Sequence, residues 1–196
     1  MTLPNIITLF RILLVPVFVG ALLYYHRSYR AGEPVDAYWM IALGSFVTAS
    51  VSDALDGFIA RRFNMRSHLG SILDPLADKA LLVSALVVLG WIDTDLAQLP
   101  LWFVVLVLGR DLFLVIGSVV LQIYVSDFKV KPHWVGKVST ALMMVSVSMV
   151  LLKFDSTWVD PVVYLGGGFT LASFAVYLTR GLQALSGSDA SAPPRR

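Results

Sequence analysis

Four aspartates within apolar sequence are the residues whose type and spacing could do chemistry. Asp53 and Asp56 are three residues apart, and Asp74 and Asp78 are four residues apart, so each pair lies on one face if its segment is helical. A carboxylate inside a membrane-spanning segment is costly unless it is paired or hydrated. We therefore interpret all four as functional candidates.

The two pairs are expected to meet at one depth. Asp53 lies nine residues before Arg62, and Asp78 lies nine residues after Leu69, so each is about 13 Å from the intervening link at helical rise. An antiparallel helix pair would then collect four carboxylates in one pocket, where they cannot stay unpaired. Oxygen ligands without His or Cys favour hard ions, and we predict two divalent cations, Mg²⁺ or Mn²⁺.

Such a metal pair indicates phosphate chemistry, because two metals bridge phosphate oxygens and stabilise the charge that develops during displacement. Gly57, Ala60 and Gly70 remove side-chain bulk where a diphosphate would approach helix backbone, and the guanidinium of Arg61 can bind phosphate oxygens. Two other interpretations stay open. The helices could form a purely structural salt-bridged pair, or the acids could line an ion pathway in a small divalent-cation transporter.

The composition indicates that membrane helices position these residues. Of 196 residues, hydrophobic types make up 57% and charged types 14%, against roughly 25% charged in a soluble domain. The chain contains no cysteine, which excludes disulfides and thiolate chemistry. A net charge of +2, with basic residues next to apolar segments, does not indicate a nucleic-acid partner.

We predict an all-α, polytopic membrane protein folded as a bundle of six transmembrane helices. Stretches long enough to cross about 30 Å of hydrocarbon lie at residues 5–25, 37–62, 69–91, 98–124, 134–153 and 158–182. Residues 1–185 are expected to form one membrane domain. Residues 186–196 are rich in Ser, Ala and Pro and are predicted to be a disordered tail.

Basic residues are distributed unevenly between the two sides of the predicted bundle. The more basic side carries Arg61, Arg62, Arg66, Lys129, Lys131, Lys137, Arg180, Arg195 and Arg196. The opposite side carries Arg27, Arg30 and Lys153 near its span ends. The positive-inside rule therefore places the link after span two, and both termini, in the cytoplasm. We expect a bacterial inner (cytoplasmic) membrane protein whose active site faces the cytoplasm.

The motif from Asp53 to Asp78 resembles the signature of the CDP-alcohol phosphatidyltransferase family. It reads Asp, two residues, Asp-Gly, two residues, Ala-Arg, eight residues, Gly, three residues, Asp, three residues, Asp, with no departure at a fixed position. The resemblance implies a membrane enzyme that transfers a phosphatidyl group from CDP-diacylglycerol to an alcohol acceptor and releases CMP. It also implies a homodimer that works among membrane lipids.

The resemblance further implies a role for individual residues. Asp53, Asp56 and Asp74 would be metal ligands. Asp78 would approach the second metal and, as the catalytic base, deprotonate the acceptor hydroxyl. Contacts to the CDP part of the lipid would come from Gly57, Arg61 and Ser67.

The N-terminal segment Leu-Pro-Asn-Ile-Ile-Thr-Leu-Phe-Arg-Ile resembles the phosphatidylglycerophosphate synthases and eukaryotic-type cardiolipin synthases of that family. Asn5 and Thr8 can face one side of the first helix, and we predict that they contact the CDP-lipid; the alternative is helix capping alone. The two enzyme types differ in acceptor, which is glycerol 3-phosphate for the first and phosphatidylglycerol for the second. We favour glycerol 3-phosphate, although the stretch Gly-Arg-Asp-Leu-Phe-Leu-Val-Ile-Gly-Ser is closer to the cardiolipin type.

Either acceptor carries an anionic phosphate, and two basic residues are candidates for binding it. Arg110 lies in span four and Lys137 lies at the start of span five. An ion pair with Asp111 or with a motif carboxylate is the alternative role for Arg110. Lys137 could instead be an interface lysine whose ammonium reaches water.

Overall fold

The protein is all-α in the part of the chain that the computed structural model describes. The backbone is described for residues 3–63, 68–124 and 134–189, and the side chains for residues 7–53, 77, 79–117, 134–179 and 183. The helices are α1 (Leu3–Arg30), α2 (Asp36–Phe63), α3 (His68–Trp91), α4 (Leu101–Tyr124), α5 (Trp134–Leu151) and α6 (Ser156–Asp189). The all-α part of the predicted fold class is confirmed for these ranges, where six helices and no strand occur.

Among the described residues, three helical segments are long and apolar enough to cross a membrane by their length and composition. They are Ile7–Arg30, Trp134–Leu151 and Ser156–Thr179. Trp91, Trp134 and Trp158 are exposed near helix ends, where an amphipathic ring suits a membrane interface. A membrane fold is therefore supported, while the count of six spans stays a prediction.

The last helix is longer than the sequence indicated. It ends at Asp189, so residues 186–189, which we expected in the disordered tail, are helical. Once a helix is formed, each further residue adds a backbone hydrogen bond without a new nucleation step. The Ser and Gly near this end therefore do not stop it at once. Residues 190–196 lie outside the described part of the chain.

The chain divides into two compact units. Unit 1 comprises Met1–Leu99 and Val147–Ser156, and unit 2 comprises Pro100–Ser146 and Thr157–Arg196. Unit 1 thus holds α1, α2, α3 and the end of α5, while unit 2 holds α4 and most of α5 and α6. The motif aspartates belong to unit 1, and the candidate acceptor residues belong to unit 2.

In unit 1, α1 packs against both α2 and α3, and its antiparallel pairing with α2 keeps a constant register. The rings of Phe18 and Phe46 lie 5.9 Å apart. Seven residues before Phe18 and seven after Phe46, Arg11 and Asp53 form an ion pair. Small side chains allow close approach of membrane helices, and α2 buries Ala42, Ser45 and Ala49.

Lys153 ties the other end of this helix pair to the turn that follows α5. Its Nζ donates hydrogen bonds to Asp95 Oδ2 at 2.8 Å and to Tyr25 Oη at 3.2 Å, and lies 4.5 Å from the centroid of the Trp39 ring. Tyr25 Oη also donates to Asp95 Oδ1 at 2.6 Å. Lys153 has a φ of 59°, so these contacts hold a non-glycine residue in the left-handed region. We call Tyr25, Trp39, Asp95 and Lys153 the Lys153 cluster.

Hydrogen bonding shifts the pKa values of Lys153 and Asp95, the two charged groups of the Lys153 cluster. Burial by itself lowers the pKa of Lys153, but the bonds to Asp95 and Tyr25 outweigh burial and raise this pKa above its ordinary value. Burial by itself raises the pKa of Asp95, but the bonds from Lys153 and Tyr25 lower it overall. Folding therefore stabilises the ionised form of both groups.

In unit 2, α4 and α6 run parallel, as two aromatic contacts indicate. The rings of Trp102 and Tyr164 stack at 5.6 Å, and those of Phe113 and Phe174 lie 4.7 Å apart about three turns further along both helices. A Cβ at position 167 would lie 2.7 Å from the Trp102 ring, so Gly167 permits the close approach of α6 to α4. This part of the glycine run in α6 packs within the chain.

Replacing Lys153 with Met should destabilise the protein by about 1–3 kcal/mol, because Asp95 loses its cationic partner and Trp39 loses the cation over its ring. The thermal midpoint of the purified protein in detergent measures this change. Asp155→Asn is the matched control, since it removes an exposed charge from the same turn and should leave the midpoint unchanged. Equal midpoints for Lys153→Met and the wild type would contradict the stabilising role.

The stability supplied by the Lys153–Asp95 pair should be constant near neutral pH and fall at both extremes. A carboxyl with a lowered pKa contributes above its ordinary value of 3.8 and loses that contribution as the pH falls through the folded value. An ammonium with a raised pKa contributes below its ordinary value of 10.5 and loses that contribution as the pH rises through the folded value. Unfolding midpoints across pH measure this. A loss of stability at alkaline pH that is as large in Lys153→Met as in the wild type would contradict it.

Candidate functional site

The first aspartate of the motif, Asp53, is joined to α1 by a buried arginine. Arg11 Nη1 donates a hydrogen bond to Asp53 Oδ1 at 2.9 Å. The Arg11 side chain is 1% exposed, whereas that of Asp53 is 49% exposed. The ion pair thus encloses its cation and leaves half of the carboxylate side chain open.

The register of α1 on α2 explains why these two residues meet. Arg11 and Asp53 lie two helical turns from the Phe18–Phe46 contact on their respective helices. Seven-residue steps keep side chains on the same face of two packed helices. Seven residues in the other direction lead to Tyr25 and Trp39, and Lys153 lies over both of their rings.

Thr8 belongs to the packed face of α1. It is 0% exposed and lies one turn before Arg11, on the same side of the helix. Asn5, the other residue of α1 predicted to bind the CDP-lipid, has a side chain outside the described residues.

The remaining motif residues are described by their helices alone. The backbone of α2 includes Asp56, Gly57 and Arg61, and that of α3 includes Asp74 and Asp78, but their side chains lie outside the described residues. Ser67 lies outside them entirely. Both helices contact α1, as a shared site requires. The convergence of the four carboxylates itself stays a prediction.

Arg110, a candidate for the acceptor phosphate, lies in a polar contact of unit 2. Its Nη1 donates to Asp111 Oδ1 at 2.9 Å and its Nη2 donates to Ser173 Oγ at 3.0 Å. The side chain is 10% exposed, and its Nε–H has no hydrogen-bond partner among the described residues. The ion pair with Asp111, which is the alternative role for Arg110, is thus present.

Gly136 of α5 makes room for that guanidinium. A Cβ at position 136 would lie 2.7 Å from Arg110 Nη2 and 3.3 Å from Ser173 Oγ. The neighbouring Lys137 is exposed, and within the described side chains no hydrogen bond joins it to Arg110. The structure therefore connects Arg110 to Gly136 and Ser173.

Sequence reasoning missed Arg11, Gly136 and Ser173 as members of these contacts. A signal existed for Arg11, because an arginine inside an apolar segment requires an anionic partner. The partner is 42 residues away, so the interhelix register had to be known first. Gly136 and Ser173 gave no comparable signal, since small residues are frequent in membrane helices.

Comparison with known proteins identifies relatives over nearly the whole chain. The sequence model of a family described as CDP-alcohol phosphatidyltransferase matches residues 1–179. A Mycobacterium tuberculosis protein named "Probable phosphatidylglycerophosphate synthase" is 34% identical over 94% of this chain and 84% of its own length. "CDP-diacylglycerol--glycerol-3-phosphate 3-phosphatidyltransferase" of Bacillus subtilis is 31% identical over 95% of this chain and 98% of its own length. "Cardiolipin synthase (CMP-forming)" of Streptomyces coelicolor is 33% identical over 81% of this chain and 69% of its own length.

Proposed function

The chain belongs to the CDP-alcohol phosphatidyltransferase family, and from that premise we propose that it transfers the phosphatidyl group of CDP-diacylglycerol to glycerol 3-phosphate and releases CMP. It is a transferase of phospholipid synthesis, as its family indicates. The acceptor is the finer part of the proposal. It is supported by the Mycobacterium tuberculosis and Bacillus subtilis relatives, which are named for phosphatidylglycerophosphate synthesis and for glycerol 3-phosphate transfer.

The observation that carries this proposal is the complete motif from Asp53 to Asp78 on two helices that both contact α1. A purely structural helix pair would need cations for four acids. Among the described side chains, Arg11 is paired with Asp53, and we assign bound cations as the further positive charge of the cluster. The family match also favours a transferase over the divalent-cation transporter.

The residues suit Mg²⁺ or Mn²⁺. The motif supplies carboxylate oxygens, which hard divalent ions prefer, and Asp53 keeps an exposed carboxylate beside its bond to Arg11. We assign Asp53, Asp56, Asp74 and Asp78 to two such ions. When bound, the ions would supply the positive charge that stabilises a diphosphate during displacement.

The chain's own residues would then move one proton and hold two substrates. Asp78 accepts the proton of the acceptor hydroxyl, whose oxygen forms a bond to the phosphorus that carries the diacylglycerol. The bond from that phosphorus to the bridging oxygen of the diphosphate breaks, and the bridging oxygen leaves with CMP.

Binding of the CDP-lipid is assigned to residues around the aspartates. The guanidinium of Arg61 can donate two parallel hydrogen bonds to phosphate oxygens. Gly57 has no side chain, so the diphosphate can approach the backbone of α2. Thr8 contributes from the packed face of α1. Ser67 and Asn5 complete the set.

The acceptor phosphate is assigned to Arg110 and Lys137. The support for Arg110 is its buried Nε–H, which has no partner among the described residues, because a buried donor without an acceptor is costly and an anionic ligand would remove that cost. Lys137 is exposed at the start of α5 and can reach a soluble phosphate. Both roles are part of the proposal.

Cardiolipin synthesis, with phosphatidylglycerol as the acceptor, is the second candidate. It is favoured by the similarity to the Streptomyces coelicolor protein, which spans 81% of this chain. For either acceptor we propose a homodimer of one membrane domain, residues 1–185, in a bacterial inner membrane with the aspartates on the cytoplasmic side. The basic residues on that side support the orientation.

Asp78→Asn should lower the rate of CMP release by about 100-fold or more, the usual contribution of a general base. The measurement uses protein in detergent with CDP-diacylglycerol, Mn²⁺ and glycerol 3-phosphate. Asp155→Asn, which changes an exposed acid after α5, should retain the wild-type rate. Full activity in Asp78→Asn would exclude this aspartate as the base.

The wild-type protein should release CMP with glycerol 3-phosphate and not with phosphatidylglycerol, inositol phosphate or serine. Mass spectrometry of the lipid product identifies the acceptor. Cardiolipin formed from phosphatidylglycerol would establish the second candidate instead. Metal flux into vesicles with no CMP from any acceptor would contradict a transferase.

Gly136→Ala should raise the KM for glycerol 3-phosphate by about tenfold, because its Cβ would displace the Arg110 guanidinium and weaken a charge-assisted contact by about 1.4 kcal/mol. Thermal stability should hold, since alanine favours a helix by about 1 kcal/mol over glycine. Gly168→Ala, with no neighbour within 4 Å of its Cβ, is the matched control. A wild-type KM in Gly136→Ala would argue against Arg110 as the phosphate ligand.

A further inference from the structure

Arg11 is a buried cation that the proposed reaction does not yet use. It lies within the apolar segment Ile7–Arg30 and is 1% exposed. An arginine in such surroundings is costly unless a close anion compensates it. Asp53, at 2.9 Å, is such an anion, so the first aspartate of the motif is bound to a fixed positive charge.

The pair is asymmetric in a way that leaves room for a ligand. Arg11 is enclosed, whereas the Asp53 side chain is 49% exposed. The hydrogen bond engages Oδ1, which leaves Oδ2 as the oxygen that can face a cation. A bond from a rigid guanidinium also fixes the plane of the carboxylate.

We propose that Arg11 is a positioning residue that turns Asp53 towards the metal pair and is a permanent counter-ion of the carboxylate cluster. This inference rests on the proposed function, because it requires Asp53 to be a metal ligand. Two consequences follow from the charge and the geometry. The positive charge opposes divalent cations and so moderates their affinity, while the fixed carboxylate keeps the ions in the arrangement that the reaction needs.

A merely structural ion pair between α1 and α2 would have a different effect. Its loss would lower stability, and the folded remainder would bind cations as before. A counter-ion of the cluster, in contrast, changes cation affinity when it is removed. Metal binding without substrate therefore separates the two roles.

The test uses full-length Arg11→Gln and Arg11→Lys in detergent, stripped of metal with a chelator. Free Mn²⁺ is titrated by electron paramagnetic resonance in the absence of lipid substrate. Arg11→Gln should bind Mn²⁺ at least about threefold more tightly than the wild type, because one opposing charge is gone. Arg11→Lys keeps the charge and should stay within about twofold of the wild-type affinity.

Activity at saturating Mn²⁺ supplies the second readout. The kcat of Arg11→Gln should fall at least about tenfold, and that of Arg11→Lys should fall less, because an ammonium retains the charge but not the planar fork. Arg27→Gln is the matched control, since it removes an exposed arginine from the same helix. Arg27→Gln should change neither the Mn²⁺ affinity nor the kcat.

Unchanged or weaker Mn²⁺ binding by Arg11→Gln would overturn the proposal, as would Mn²⁺ binding by Arg11→Lys as tight as expected for the glutamine variant. If Arg11→Gln is not recovered folded, Arg11→Lys decides, and a wild-type kcat in that variant contradicts positioning. A wild-type protein that binds no Mn²⁺ and releases no CMP would instead contradict the proposed function. The two failures are therefore distinguishable.

Discussion

The antiparallel register of α1 on α2 is the constraint on which the rest of unit 1 depends. It brings Arg11 to Asp53, Phe18 to Phe46, and the rings of Tyr25 and Trp39 to Lys153. These three levels are separated by seven residues on each helix, so one packing geometry sets them all. The position of the first motif aspartate is a consequence of helix packing along the whole length of α1.

Charge is handled in the same manner in both units. In the part of the chain whose side chains are described, two largely enclosed arginines are paired with an aspartate, Arg11 with Asp53 across two helices and Arg110 with Asp111 on one helix. Pairing offsets the cost of removing a guanidinium from water but does not by itself provide net stability. Retaining such pairs in an apolar chain is more readily explained by a task that needs a fixed charge, such as holding a carboxylate or binding a phosphate.

Helix positions could be predicted from the sequence, but contacts between helices could not. Apolar stretches bounded by Gly, Pro and charged residues placed the ends of the six helices to within five residues, except at the end of α6, where helix continued to Asp189. Four aspartates were identified because acids in apolar sequence are conspicuous. Arg11 was equally conspicuous, yet its partner depended on a register that no local pattern specifies. Gly136 was unpredictable for the same reason, because its role is to leave space for the Arg110 guanidinium on another helix.

Two polar contacts at opposite ends explain how apolar helices maintain so definite a register. Hydrophobic burial gives little preference between neighbouring registers when lipid tails are as apolar as the partner helix. The Arg11–Asp53 pair and the Lys153 cluster lie 14 residues apart along α1, or about 21 Å. A shift of one residue would break both at once and remove the carboxylate of Asp53 from the buried guanidinium of Arg11. The polar contacts thus fix the position of Asp53 along the axis of the helix pair. The apolar side chains between the two polar sites supply close packing.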